Sequence, residues 1–143
     1  MRNVSPQRGF TMLELLIAVA VAAILVTLTY TNWRGYSAQQ RLRYAAVQVA
    51  SGLREAEERA KAERTIYTVT FTSSSATYTI LRTSGGFIDN AVLPSGITPQ
   101  ASDTVTFSAF GVPDAAHTIT LQGTAGTRTA SVDIVGGITY QGP

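Results

Sequence analysis
Arg8-Gly9-Phe10-Thr11-Met12-Leu13-Glu14-Leu15-Leu16-Ile17 is the stretch that decides how this chain is read. A short basic leader, residues 1–9, meets a long apolar segment at a Gly-Phe junction. One carboxylate, Glu14, stands alone near the start of that segment. A charge inside an apolar helix is expensive in lipid and calls for a function. Phe10 to Tyr30 is 21 residues, about 31 Å of helix at ~1.5 Å per residue, against a hydrocarbon core of about 30 Å. These residues predict a membrane-competent helix that carries an acid near its start.

Three readings fit such a start. A cleaved secretory signal would use Ala18-Val19-Ala20 or Ala20-Val21-Ala22, but both lie in the middle of the apolar run with no polar region after them. A plain membrane anchor leaves Glu14 without a role. In the third reading, Arg8-Gly9 followed by Phe10-Thr11-Met12-Leu13-Glu14 resembles the N-terminus of type IV prepilins and type II secretion pseudopilins. That resemblance implies cleavage by a prepilin peptidase between Gly9 and Phe10, and N-methylation of Phe10. It also implies pairing of Glu14 with the new amine of Phe10 on a neighbouring subunit. An uncompensated buried charge is strongly unfavourable, so such a pair would fix the register of docking. Thr11-Met12-Leu13-Glu14 equally fits a capping box, in which Glu14 only satisfies a backbone N–H at the helix start. The two roles are compatible.

The chain has 143 residues, enough for one compact domain and a helix. Its formal net charge of +2 comes from the leader, which holds Arg2 and Arg8 and no acid. A basic leader before an apolar helix fits the positive-inside rule, with the leader cytoplasmic and the rest outside. There is no cysteine. An exported domain is then held by its core, and no thiol-based metal or redox site can form.

No proline interrupts residues 10–64. Beyond Tyr30 the apolar run becomes amphipathic. Ala38, Leu42, Ala45, Ala46, Val49, Ala50, Leu53, Ala56 and Ala60 recur at spacings of three and four, which is one face of a helix. Arg41, Arg43, Arg54, Glu55, Glu58 and Arg59 take the other face. Glu55 with Arg59 and Glu57 with Lys61 form correctly oriented i,i+4 pairs. Gly35 and Gly52 are weak points for a helix, and Gly35 marks a place for a bend or local melting. Trp33 and Tyr36 suit a membrane interface.

After Arg64 the composition shifts to Thr, Ser, Gly and β-branched residues. Thr65–Thr72 and Ala76–Arg82 alternate around Ser73-Ser74-Ser75 and read as a hairpin, with Ile66, Val69 and Phe71 on one face and Tyr67 on the other. Residues 87–100 read as a loop. Thr104–Ala109, His117–Gln122, Thr129–Val135 and Gly137–Tyr140 read as strands, with Gly123-Thr124-Ala125-Gly126 as a hairpin turn. The expected fold is α+β: a long N-terminal helix, half membrane-spanning and half amphipathic, packed on a C-terminal antiparallel sheet. The expected segments are leader 1–9, transmembrane or filament-core helix 10–30, amphipathic continuation 31–64 and β-rich head 65–143.

Within pilin-like proteins, Arg41-Leu42-Arg43, Ala45-Ala46, Leu53-Arg54, Phe107-Ser108-Ala109-Phe110-Gly111, Arg128, Val132-Asp133-Ile134 and Gly137-Ile138 are similar to the GspH/FimT type of minor pilin or pseudopilin. Major pilins usually carry a helix proline and often a C-terminal disulfide, and this chain has neither. The resemblance implies a structural minor subunit in a type IV pilus or a type II secretion pseudopilus. Its partners would be other pilins or pseudopilins in a helical filament, the prepilin peptidase, an inner-membrane assembly platform, and lipid before assembly. It would sit in the bacterial inner membrane with its head outside the cytoplasm, then in a periplasmic or extracellular filament.

The alternative is a FimT-like DNA receptor for natural transformation. It is disfavoured because residues 65–143 hold only Arg82 and Arg128 against Asp89, Asp103, Asp114 and Asp133, and DNA binding needs a basic patch. No catalytic constellation, metal spacing, phosphate loop or cofactor motif is found, so no enzyme is expected. The only histidine, His117, reads as a surface or turn residue.

Overall fold
The computed structural model describes residues 9–141, with the backbone alone described at 28–32 and at Gln141. The expected leader, apart from Gly9, lies outside the described residues. One helix, α1, spans Met12–Glu63. It runs through Gly35 without a break, so the melting expected there is not seen. The chain divides into two compact units, Met1–Tyr36 and Ser37–Pro143, with the boundary just after that glycine.

The second unit holds the core. Every apolar-face residue expected from Leu42 to Ala60 is buried, while Ala38 is half-buried. Small side chains on that face let strands approach the helix backbone. Gly52 shows this directly. A methyl group there would lie 2.6 Å from the Tyr78 hydroxyl and 2.9 Å from its ring. That hydroxyl donates to the Gln48 carbonyl at 3.3 Å. Gly52 is therefore a packing site as well as a weak helix former.

The helix ends in a Schellman turn, in which Thr65 N–H donates to the Ala60 carbonyl at 3.2 Å. Arg64 takes the left-handed position, with φ 53°, where glycine is usual. A side chain there costs about 1 kcal/mol.

Eight strands follow: β1 Tyr67–Phe71, β2 Thr77–Arg82, β3 Ile88–Val92, β4 Thr98–Pro99, β5 Asp103–Phe107, β6 His117–Gly123, β7 Gly126–Val132 and β8 Ile138–Gln141. They form two antiparallel sheets of four strands, in the orders β3-β2-β1-β5 and β4-β6-β7-β8, where the sequence led to one. Tyr67, Val69 and Phe71 face the core together, and Ile66 lies exposed before the strand. Val69 and Phe71 share a face as expected, but Ile66 and Tyr67 exchange places, because residues three apart cannot share a side of a two-residue repeat.

Residues 87–100 were expected to form a loop but contain β3 and β4. β3 reads I-D-N-A-V and is largely exposed, so it carries no alternation to detect. It forms because the free edge of β2 templates it, from Thr77 opposite Val92 to Leu81 opposite Ile88. Pro99 is tolerated in β4 because that two-residue strand is a sheet edge. The hairpin at Gly123–Gly126 closes as expected, with the two glycines paired. One apolar cluster joins the helix face to residues of both sheets, including Phe71, Ile80, Phe107, Leu121 and Val132.

Candidate functional site
The N-terminal motif lies in the first unit. Thr11 precedes α1 and caps it. Its Oγ1 accepts from Glu14 N–H at 3.2 Å, and its carbonyl accepts from Leu15 N–H at 3.1 Å. This is one half of the expected capping box. The Glu14 carboxylate shows no hydrogen bond or ion pair among the described residues and lies exposed in the first turn. It is thus available for a partner outside the chain, at the helix end where the macrodipole favours an anion.

Gly9, Phe10, Thr11 and Glu14 together line one open depression. The junction, the aromatic residue and the acid therefore share a surface. The Phe10 nitrogen is here a peptide nitrogen and becomes an amine only when the Gly9–Phe10 bond is cut.

Around this motif the helix surface is apolar and uncovered. Phe10 is 77% exposed, and Met12, Leu16, Val19, Ile24 and Val26 are likewise exposed. Such a surface marks an interaction with lipid or protein. The Thr27 hydroxyl donates to the Ala23 carbonyl at 2.8 Å, so this polar group is satisfied inside the helix. Among the described residues, no helix is long and apolar enough to cross a membrane. The span expected at 10–30 ends on residues whose side chains are not described.

In the head, His117 is not the plain surface residue expected. It is half-buried at the start of β6. Its Nδ1 lies 3.0 Å from both carboxylate oxygens of Asp103 on β5, and its Nε2 lies 3.2 Å from Asp114 Oδ1. Asp103 and His117 belong to different sheets, so the contact ties the two sheets together. Burial of Asp114 opposes its ionisation. The Thr106 N–H at 2.9 Å and the His117 ring outweigh this and hold the carboxyl below its ordinary pKa. With a carboxylate on each ring nitrogen, His117 has none left to take a proton from a hydroxyl, so it forms no nucleophilic triad. No group of acids and histidines able to hold a metal occurs among the described residues.

The arginines considered for DNA are partly committed. Arg82 pairs with Glu63 at 2.9 Å and donates to the Gly85 carbonyl. Neither His117 nor Arg82 was legible as a structural tie, because each partner lies on another element.

Comparison with known proteins matches residues 4–30 to the prokaryotic N-terminal methylation motif. The fold is similar to that of the type IV minor pilin FimU of Pseudomonas aeruginosa in two crystal forms. One aligns with a TM-score of 0.57 at 18% identity, over 75% of this chain and 92% of that one. The other aligns with a TM-score of 0.55 at 20% identity, over 71% and 93%. A search of curated proteins gives no match. The chain thus carries a prepilin-type N-terminal methylation motif and has a fold similar to that of a type IV minor pilin.

Proposed function
We propose that the chain is a structural minor pilin subunit. It is cut between Gly9 and Phe10, methylated on Phe10, and assembled into a filament through Glu14 and the apolar surface of residues 10–30. The observation that carries this reading is the uncovered apolar helix with a lone, unpaired acid three residues into it, beside the Gly9–Phe10 junction. Pairing of Glu14 with a neighbour's Phe10 amine compensates a charge that is otherwise unfavourable in an apolar filament core. Before assembly, the same surface rests in the inner membrane with the head outside the cytoplasm. The peptidase and an inner-membrane assembly platform are the further partners. The filament is a type IV pilus or a type II secretion pseudopilus.

Intact mass and N-terminal fragmentation of the protein from a host with its own prepilin peptidase test this. The expected chain begins at N-methylated Phe10. A chain beginning after Ala20 or Ala22 would mean an exported soluble protein and end the filament reading. Glu14→Gln keeps the capping geometry and loses the charge. It should be cut normally yet appear in sheared filaments at least about tenfold less, as expected for a lost buried ion pair.

A further inference from the structure
At one end of the head, two tight turns present apolar side chains to solvent beside the last turns of α1. Residues 108–112 form the first turn. Gly111 N–H donates to the Ser108 carbonyl at 2.8 Å, Ser108 N–H to the Val112 carbonyl at 2.9 Å, and Val112 N–H to Ser108 Oγ at 3.1 Å. Gly111 has φ +75°, and the space its missing side chain leaves is filled by the stem of Lys61, with Cγ 2.7 Å from where a methyl would be. The turn is thereby fixed on the helix, and it holds Phe110 outward, 72% exposed.

Residues 133–137 form the second turn, in which Gly136 N–H donates to Asp133 and Asp133 N–H to Gly137. It holds Ile134 and Val135 outward, 61% and 79% exposed. The turns adjoin, since a methyl on Gly136 would lie 3.5 Å from the Gly111 carbonyl oxygen. Phe110, Val112, Ile134 and Val135 thus form one uncovered apolar surface on a rigid base.

Cations edge it. Lys61, Arg64 and Phe110 line a common depression. Lys61 is paired with Glu57. Arg64 is exposed and has no hydrogen bond or ion pair among the described residues. It also occupies the left-handed position where glycine would fit without strain. Backbone strain retained for a side chain that serves nothing inside the fold points to a role outside it.

We infer that this surface docks the head of a neighbouring filament subunit through an apolar segment carrying a carboxylate, with Arg64 taking the carboxylate and Phe110 the apolar side chain. The inference rests on the filament reading above. Charge selects this occupant. One unpaired arginine, with Lys61 already held by Glu57, suits a single carboxylate. An anionic membrane surface or a nucleic acid would call for a cluster of cations.

The test places the photo-crosslinker p-benzoylphenylalanine at position 110 of the full chain, in a host that assembles its filaments. The control is the same residue at exposed Ser74, in the β1–β2 turn. Irradiation should join position 110, but not position 74, to a second pilin-sized chain. Arg64→Glu should reduce that adduct about tenfold, while Arg64→Gly, which relieves the backbone, should reduce it with the head still folded by circular dichroism. Adducts to lipid or nucleic acid, an adduct indifferent to Arg64, or no adduct from chains that are cut at Gly9 and present in filaments would overturn the docking surface and leave the subunit reading standing. Chains neither cut nor incorporated would overturn both.

Discussion
Gly52 and Tyr78 show how single residues are constrained. A helix normally gains about 1 kcal/mol when glycine becomes alanine. Here the buried Tyr78 ring occupies the space the methyl would need, and overpacking a rigid core costs about 1–3 kcal/mol. Gly52→Ala should therefore fail to stabilise the head and should cost up to about 2 kcal/mol in chemical denaturation. A gain in stability would mean that Tyr78 swings away. The same burial, with Asp89 a smaller contributor, pushes the Tyr78 hydroxyl up to about 12. Helical spacing made the apolar face of residues 42–60 legible. The reason for Gly52 was not, because Tyr78 reaches it from a strand.

Among elements, the junction of β5 and β6 carries the most specific chemistry. Asp103, Asp114 and His117 are separated in sequence by loop residues and meet only because the two strands adjoin across the sheets. The folded pKa of Asp114 lies below its unfolded value. Its contribution is therefore present above the ordinary carboxylate pKa and is lost as pH falls through the lowered folded value. Thermal melts should show the wild-type head losing stability as pH falls below the ordinary carboxylate range, and Asp114→Asn should flatten that fall while lowering stability at neutral pH. A pH profile identical in the two proteins would remove Asp114 from the tie. Strands with alternating apolar residues, such as β1, β6 and β7, were legible in outline. β3 was not, since its polar and exposed I-D-N-A-V segment is ordered by hydrogen bonds to β2 and not by burial.

On the scale of the whole molecule, the two units have opposite surfaces. The apolar side chains of residues 10–26 are exposed, whereas among the described residues every buried core residue lies between Leu42 and Ile138. A fragment of residues 37–143 thus carries all of the core found among the described residues. It should stay soluble without detergent and unfold in one cooperative calorimetric transition. A fragment that aggregates or melts without a transition would mean that the first unit contributes to the stability of the head.

What the sequence by itself determined is what is encoded locally. This comprises the Gly9–Phe10 junction with Glu14, the change from an all-apolar to an amphipathic helix, and the β-rich composition after Arg64. These signals depend on residues within a few turns of one another, so spacing alone carries them. Only the tertiary structure decided the division into two sheets, the seat of His117 between two carboxylates, the place of Tyr78 over Gly52, and the joining of the Phe110 and Ile134 turns into one surface. Each of these depends on strand pairing and packing between residues distant in the chain, for which local periodicity holds no record.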